Sequence, residues 1–138
     1  SHAIDVKADA AYERCRVSDG DLLFLPGGGL GTENLYNCLA LRKELRSYLE
    51  RGKRVAAICA APSILGRNGL LKGKKATCYP GFEETLAGAE YTRQGVITDG
   101  AITTARGMGF AVDLGLELVG LLVSREKESE IRESIQHP

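Results

Sequence analysis

The sequence predicts an α/β fold built on a mostly parallel sheet. Short apolar runs typical of buried strands alternate with longer segments whose apolar residues recur at helical spacing. Glycine and proline mark the joins between these segments. With 138 residues, 43% of them hydrophobic, the chain is expected to form a single domain over residues 1–138 with a substantial core.

The first three segments contain two predicted strands. Ala3–Ala8 alternates apolar and polar residues, which predicts a strand with Ile4 and Val6 on one face. Asp9–Asp19 is more polar and is expected to form a short helix or a loop. Asp21–Leu25 is a continuous apolar run after its first residue, which predicts a buried strand.

The middle of the chain predicts a short helical turn, a helix, a strand and the start of a further helix. Leu30–Leu35 is expected to form a short helical turn, and Leu39–Arg51 has the apolar spacing of an amphipathic helix. Gly52 follows at the position of a C-terminal cap. Arg54–Ile58 is apolar after its first residue and predicts a buried parallel strand, and Ala60–Gly66 begins the next helix.

The next segments predict a strand, a brief helix and a hairpin. Lys75–Cys78 is expected to be a short strand and Glu83–Leu86 a single helical turn. Val96–Thr98 and Ala101–Ala105 flank the dipeptide Asp99-Gly100, which strongly favours a tight turn between antiparallel strands.

The chain is expected to end in two helices. Phe110–Val123 is apolar except for a polar strip at Asp113 and Glu117, so most of its surface should be covered. The cover could be the protein's own core or a second subunit. Ser124–Pro138 is charged and is expected to form a frayed helix.

Cys59 lies between a predicted strand and a predicted helix. Its neighbours Ala57 and Ala61 are small, as a sharp strand-to-helix turn that lifts a nucleophile off a sheet requires. The start of a helix also places N–H groups and partial positive charge beside the sulfur, which favours thiolate over thiol. The alternative is an inert cysteine that serves as a small apolar residue of the core.

The net charge and the cysteine content of the chain indicate which partners, metals and cellular location to expect. The 18 basic and 18 acidic residues give a net charge of zero, so neither nucleic acid nor a membrane is expected as a partner. No Cys/His cluster has metal-ligand spacing, so no metal is expected. Cys15, Cys38 and Cys78 are expected to be structural or incidental thiols, and together with Cys59 they favour a reducing cytoplasmic location.

The glycine run Gly27–Gly29 follows a predicted strand, as Cys59 does. Loops at the carboxyl ends of neighbouring parallel strands meet at one edge of a sheet. The backbone N–H groups of Gly28 and Ala60 could then face one small volume and stabilise an oxyanion. The alternative is a tight turn that requires positive φ. The run lacks the spacing of either phosphate-binding glycine motif.

Four motifs together resemble the ThiJ/PfpI superfamily, in particular the branch that contains the parkinsonism-associated deglycase. They are Leu25–Gly28 (LPGG), Ala56–Pro62 (AAICAAP), Ala76–Pro80 (ATCYP) and Thr104–Gly109 (TARGMG). The resemblance runs in order to about Val123. The cysteine elbow and the upstream LPGG together are specific for this superfamily, whereas either motif alone would not be specific.

The resemblance implies a flavodoxin-like three-layer sandwich, a homodimer and cofactor-independent chemistry. It makes Cys59 the nucleophile and places Gly27, Gly28 and Ala60 at the oxyanion site. Similar proteins are described as glyoxalases acting on methylglyoxal and as deglycases. They are also described as chaperones, as oxidative-stress sensors and, in one branch, as peptidases. A role in making the thiazole unit of thiamin is also attached to the family, but a kinase would need a phosphate cradle that the sequence lacks.

Two departures from the family pattern stand out. Family members begin with a strand–helix–strand unit before the segment that matches Ser1, and this unit is missing here. It would supply the central strand of the sheet, without which Leu22–Leu25 and Val55–Ile58 would lack a central neighbour, and an acidic partner for the cysteine. Many members have a histidine where this chain has Tyr79, which is a poor general base but a hydrogen-bond donor.

Arg106 could hold an anion near the site, since it follows a strand and precedes Gly107. The alternative is a salt bridge that fixes its loop. His2 and His137 lie near the ends of the chain and are expected to be solvated, so a Cys-His-Asp triad has no support.

Overall fold

Alternating strands and helices form the whole structure, a computed structural model that describes residues 2–138. The strands are β1 (Leu22–Leu25), β2 (Arg54–Ile58), β3 (Lys75–Ala76), β4 (Glu90–Tyr91), β5 (Val96–Asp99) and β6 (Ile102–Ala105). The α-helices are α1 (Gly29–Asn37), α2 (Leu39–Glu50), α3 (Pro62–Arg67), α4 (Ala111–Leu122) and α5 (Arg125–Ser134). Single 3₁₀ turns span Tyr12–Arg14, Val17–Asp19, Glu83–Thr85 and Met108–Phe110.

The main sheet has the order β1-β2-β6-β5. β1 and β6 both run parallel to β2, and β5 pairs antiparallel with β6 through the expected hairpin, where Gly100 takes a φ of 62°. β3 and β4 form a separate parallel pair. The α/β class and the mostly parallel sheet are therefore confirmed.

The two apolar runs that were expected to lack a central neighbour pair directly with each other. Leu25 of β1 is directly opposite Ala57 of β2. β2 also pairs with β6, so it has a neighbouring strand on both sides. Within residues 2–138, β1 is an edge strand, and its side that faces away from β2 has no partner strand.

Helices cover both faces of the sheet. One face packs against α2 and α3 through a large apolar cluster in which Leu45, Ile64 and Leu65 are fully buried. The opposite face packs against α4 through Ile58, Ala105 and Leu114. This arrangement is the three-layer sandwich, and it leaves the carboxyl ends of β1, β2 and β6 together at one edge.

The predicted strand over Ala3–Ala8 is wrong. No strand forms there, and Ile4 and Val6 are 69% and 87% exposed. An alternating pattern stabilises a strand only when a neighbouring strand accepts its hydrogen bonds and a core accepts its apolar face. Among residues 2–138, neither is available to this segment.

Helix α4 is covered less completely than its sequence suggests. Leu114 and Leu116 are buried, but Val112 and Leu122 are nearly half exposed. An apolar groove of about 300 Å³ lies between this helix and the sheet, with Phe24 at its rim. No helix among residues 2–138 is long and apolar enough to cross a bilayer.

Polar contacts join α4 to its surroundings. The Glu117 carboxylate accepts hydrogen bonds from the Thr98 hydroxyl at 2.9 Å and from the Arg125 guanidinium at 2.7 Å. These bonds hold the pKa of Glu117 below its usual range, with the Arg125 bond the largest cause. One carboxylate therefore connects β5, α4 and α5, since its partners lie at Thr98 in β5 and at Arg125 in α5.

Candidate active site

Cys59 follows β2 in a left-handed conformation with a φ of 65°. This conformation costs a non-glycine residue roughly 1–2 kcal/mol, and such strain is concentrated at functional sites. Ala57 and Ala61 are fully buried, as the tight turn requires, and the Ala61 N–H donates to the Ile58 carbonyl at 3.1 Å. The elbow is thus present, although α3 begins only at Pro62, three residues beyond the sulfur-bearing residue.

Gly27 allows the loop after β1 to approach this elbow. A Cβ built on Gly27 would lie 2.6 Å from the Cys59 Cβ, 2.9 Å from the Ile58 carbonyl oxygen and 3.4 Å from the Cys59 Sγ. Any side chain at Gly27 would therefore displace the cysteine. The two loops meet as expected, because β1 and β2 are neighbours and both end at this edge.

Gly28 meets the alternative expectation of a turn that needs positive φ, since its φ is 93°. A Cβ on Gly28 would nevertheless meet no atom within 4 Å. Among residues 2–138, neither the Gly28 nor the Ala60 N–H donates to a protein acceptor. Both donors flank the contact between Gly27 and Cys59.

Tyr79 reaches the elbow through its backbone. Its N–H donates to the Cys59 carbonyl at 2.9 Å, so the segment after β3 holds the strained residue directly. Two residues earlier, the Thr77 N–H donates to the Thr104 hydroxyl of β6 at 3.0 Å, which fixes this segment to the sheet. The Tyr79 ring lies against Gly107 and is half exposed.

Arg106 is the residue directly after β6, as Cys59 is the residue directly after β2. Ile58 and Ala105 are partners in the β2–β6 register, and the Cys59 N–H donates to the Ala105 carbonyl at 2.9 Å. The expected alternative of a salt bridge at Arg106 is wrong, because no acidic side chain of residues 2–138 lies within ion-pair distance of it.

Cys78 directly precedes Tyr79 and was expected to be a structural or incidental thiol. It is fully buried, and burial raises the pKa of its thiol to about 11. Glu83 contributes to this rise in pKa, while Arg106 opposes it. A buried neutral thiol is a structural group, which agrees with the expected role.

The remaining candidate groups lie elsewhere. All four cysteines are free, and residues 2–138 hold no cluster of three acidic, histidine or cysteine side chains arranged for a metal. His137 is not simply solvated as expected, because its Nε2 lies 2.9 Å from the Asp113 carboxylate. The Asp113 contact joins the C-terminal segment to α4.

The sequence profile of the DJ-1/PfpI family matches residues 1–121. The chain is 42% identical to protein DJ-1 homolog B of Arabidopsis thaliana over 132 residues. This alignment covers 94% of this chain but 30% of the Arabidopsis protein. It is 35% identical to a deglycase of Pyrococcus horikoshii over 76% of this chain and 64% of the relative. The chain thus spans about a third of the Arabidopsis protein and just under two thirds of the archaeal one.

The crystal structure of Drosophila melanogaster DJ-1beta superimposes on this fold with a TM-score of 0.82. The match has 33% sequence identity and covers 87% of this chain and 66% of the fly protein. Together with the observed sheet, this likeness confirms the flavodoxin-like architecture expected from the motifs.

Proposed function

The chain belongs to the DJ-1/PfpI family, and on that premise we propose that the protein uses Cys59 for glyoxalase or deglycase chemistry on reactive aldehydes such as methylglyoxal. The observation that carries this proposal is the strained conformation of Cys59, packed against Gly27, where any side chain would force the backbone or the cysteine to shift. A buried cysteine with only a packing role would need neither the strain nor the glycine.

The first step is addition of the Cys59 thiolate to the aldehyde carbon. The C–S bond forms as the carbonyl π electrons move to oxygen, which gives a hemithioacetal. Gly28 follows Gly27 and Ala60 follows Cys59 in the sequence, and the N–H groups of Gly28 and Ala60 donate to no protein acceptor among residues 2–138. In this proposal they stabilise that oxygen while it carries negative charge. Removing one such donor typically costs 10²–10³ in rate.

The second step is an internal redox change that needs no cofactor. A base removes the C1 proton, C1 is oxidised to a thioester and C2 is reduced to an alcohol. Water then cleaves the thioester, so methylglyoxal and water become lactate and the thiolate is restored. An acidic residue upstream of Ser1, implied by the family resemblance, would move these protons, with Tyr79 assisting as a hydrogen-bond donor.

Lactate formation from methylglyoxal by the full-length protein tests this proposal. We expect Cys59→Ser to abolish it, because an alcohol is a far weaker nucleophile than a thiolate. Cys15→Ser is the matched control, since Cys15 is an exposed thiol outside the site. Equal rates for the unsubstituted protein and Cys59→Ser would exclude the enzymatic proposal.

A second candidate function is oxidative-stress sensing or chaperone-like activity through oxidation of Cys59. Cys59 is only half buried, whereas Cys78 behind it is fully buried, so peroxide would reach the former first. Attack of the Cys59 thiolate on hydrogen peroxide gives a sulfenic acid and hydroxide. Reaction with a second peroxide molecule gives a sulfinic acid. Mass spectrometry after mild peroxide should show oxidised Cys59. An unmodified Cys59 beside oxidised Cys15 would contradict this function.

We also propose a homodimer in a reducing cytoplasm. The four free thiols support the location. The half-exposed apolar residues Val112 and Leu122 of α4 support a partner subunit. Sedimentation of the full-length protein tests the dimer, and a monomer at micromolar concentration would contradict it.

A further inference from the structure

We propose that Arg106 gives the Cys59 site a preference for carbonyl compounds that carry a carboxylate or a phosphate. This inference rests on the proposed function, because it names the substrate class of the same thiol. It comes from the position of one cation in the sheet, from its lack of an acidic partner and from the cavity that it borders.

The backbone places Arg106 beside Cys59. Cys59 directly follows Ile58 of β2, and Arg106 directly follows Ala105 of β6. Ile58 and Ala105 are opposite each other in these parallel strands, and neighbouring strands lie about 4.8 Å apart. The Cys59 N–H donates to the Ala105 carbonyl, which continues the ladder to the elbow. On its other side, the Arg106 N–H donates to the Gly95 carbonyl at 2.8 Å. Arg106 is therefore held by hydrogen bonds between the elbow and β5.

The guanidinium of Arg106 has no acidic partner. Across residues 2–138 it makes neither an ion pair nor a side-chain hydrogen bond, although Arg125 and Arg67 are paired with carboxylates at 2.7 and 2.6 Å. Arg106 is half buried, so its charge is partly shielded from solvent. An unpaired cation in such a position attracts an anion more strongly than a fully exposed one.

Arg106 borders a cavity of about 310 Å³. The other side chains of its lining, all uncharged, come from Tyr79, Pro80, Met108 and Phe110. Cys59 does not line this cavity, but Tyr79 links the two, because it lines the cavity and its backbone N–H donates to the Cys59 carbonyl. The cavity therefore has an apolar wall and one cation, which suits a small organic anion.

The chemistry of the two neighbours is complementary. Guanidinium groups bind carboxylate and phosphate oxygens through paired hydrogen bonds. A compound whose anionic group is one or two bonds from an aldehyde could place that group on Arg106 while the aldehyde carbon meets the sulfur. Neutral aldehydes would meet the same sulfur without that contact.

Alkylation of Cys59 by iodoacetate and by iodoacetamide tests the inference without requiring turnover. Both reagents undergo the same displacement of iodide by sulfur, but only iodoacetate is an anion. The ratio of their rates thus cancels changes in the intrinsic reactivity of the sulfur. We expect Arg106→Gln to lower the iodoacetate-to-iodoacetamide ratio roughly threefold to tenfold, and Arg106→Lys to keep most of it.

Arg54→Gln is the matched control. Arg54 begins β2, whose opposite end carries Cys59, so this change removes the same charge from the same sheet about 16 Å away. It should leave the ratio unchanged. If Arg106→Gln fails to fold, the unsubstituted protein still answers the question, because 0.5 M salt should lower its ratio by screening. A ratio that does not change in a folded Arg106→Gln variant would overturn the inference. If that variant does not fold, a ratio that salt does not change would overturn it.

Protection by small aldehydes provides a second measurement. Glyoxylate, which carries a carboxylate, should protect Cys59 from iodoacetamide at lower concentration than glyoxylamide does, which is the neutral aldehyde of the same skeleton. Arg106→Gln should raise the glyoxylate concentration needed and leave the glyoxylamide concentration unchanged. Equal protection by both aldehydes in the unsubstituted protein would contradict the inference. The two proposals can fail separately: no lactate from methylglyoxal would remove the proposed function, whereas lactate with an unchanged alkylation ratio would remove only the role of Arg106.

Discussion

The backbone N–H of Tyr79 donates to the carbonyl oxygen of Cys59 at 2.9 Å. This bond joins the segment after β3 to the turn after β2, and it holds the one cysteine of the chain that has positive φ. Because the donor is a backbone group, the bond would form with any residue except proline at position 79. The geometry of the elbow is therefore separate from whatever chemistry the Tyr79 side chain performs.

Substitution of Gly27 should damage both stability and the site. In Gly27→Ala the new methyl group would meet the Cys59 Cβ and the Ile58 carbonyl oxygen at less than 3 Å, so the backbone must shift. We expect a loss of about 1–3 kcal/mol in the free energy of unfolding, measured in urea, and an altered alkylation rate of Cys59. Gly29→Ala is the control, because that position has open space and begins a helix. Equal effects of the two changes would contradict the close approach.

Glycine at position 59 should stabilise the fold relative to alanine. The left-handed conformation of Cys59 penalises any residue with a Cβ, and Cys59→Gly removes that penalty while Cys59→Ala keeps it. The greater freedom of glycine in the unfolded chain offsets part of the gain. We therefore expect the free energy of unfolding, measured in urea, to be about 1 kcal/mol higher for Cys59→Gly than for Cys59→Ala. A more stable alanine variant would show that the turn is not strained.

Cys78 should make the protein less stable at alkaline pH. Burial first, and then Glu83, raise its pKa from 9.0 to about 11, so the folded state holds the thiol proton more tightly than the unfolded state does. This contribution is complete below pH 9 and is lost as the pH rises to about 11.

Urea unfolding between pH 8 and pH 11 measures this effect. Cys78→Ala should reduce the decline of the unfolding free energy, by up to about 1.4 kcal/mol per pH unit, whereas replacement of the exposed Cys15 should not. Parallel curves for the unsubstituted protein and Cys78→Ala would contradict the assignment.

Glu117 should contribute stability that is lost in acid. The hydrogen bonds from Arg125 and Thr98 lower its pKa, so the charged form is favoured by folding. The contribution is present above the unfolded pKa of about 4.3 and disappears as the pH falls through the lower folded value. Glu117→Gln should therefore flatten the loss of stability between pH 5 and pH 3, followed by urea unfolding. The exposed Glu50, changed to Gln, should leave that slope as it is.

Local patterns were sufficient to predict most elements. The amphipathic helix and the apolar strand on either side of Gly52 lie within one residue of their predicted ends, because each buries its own periodic apolar face. The strand predicted over Ala3–Ala8 failed because periodicity describes a face but not a neighbour to cover it.

The composition of the site depended on strand order, which local pattern does not determine. β6 is last in the chain among the strands yet lies next to β2, and only that order brings Arg106 beside Cys59. The contact between Tyr79 and Cys59 likewise joins segments that no sequence spacing relates. The sequence predicted that the loops of Gly27 and Cys59 meet, but not that a Cβ at Gly27 would lie 2.6 Å from the Cys59 Cβ, because that distance depends on how the two strands pack.

The outer side of β1 is an exposed strand edge that favours aggregation of these 138 residues. Its four residues, Leu22–Leu25, carry no charge and no proline, and within residues 2–138 that side has no partner. Bare amide groups on an apolar strand recruit other chains into mixed assemblies. Concentrated samples of these 138 residues should consequently aggregate, and the light that they scatter should increase with protein concentration.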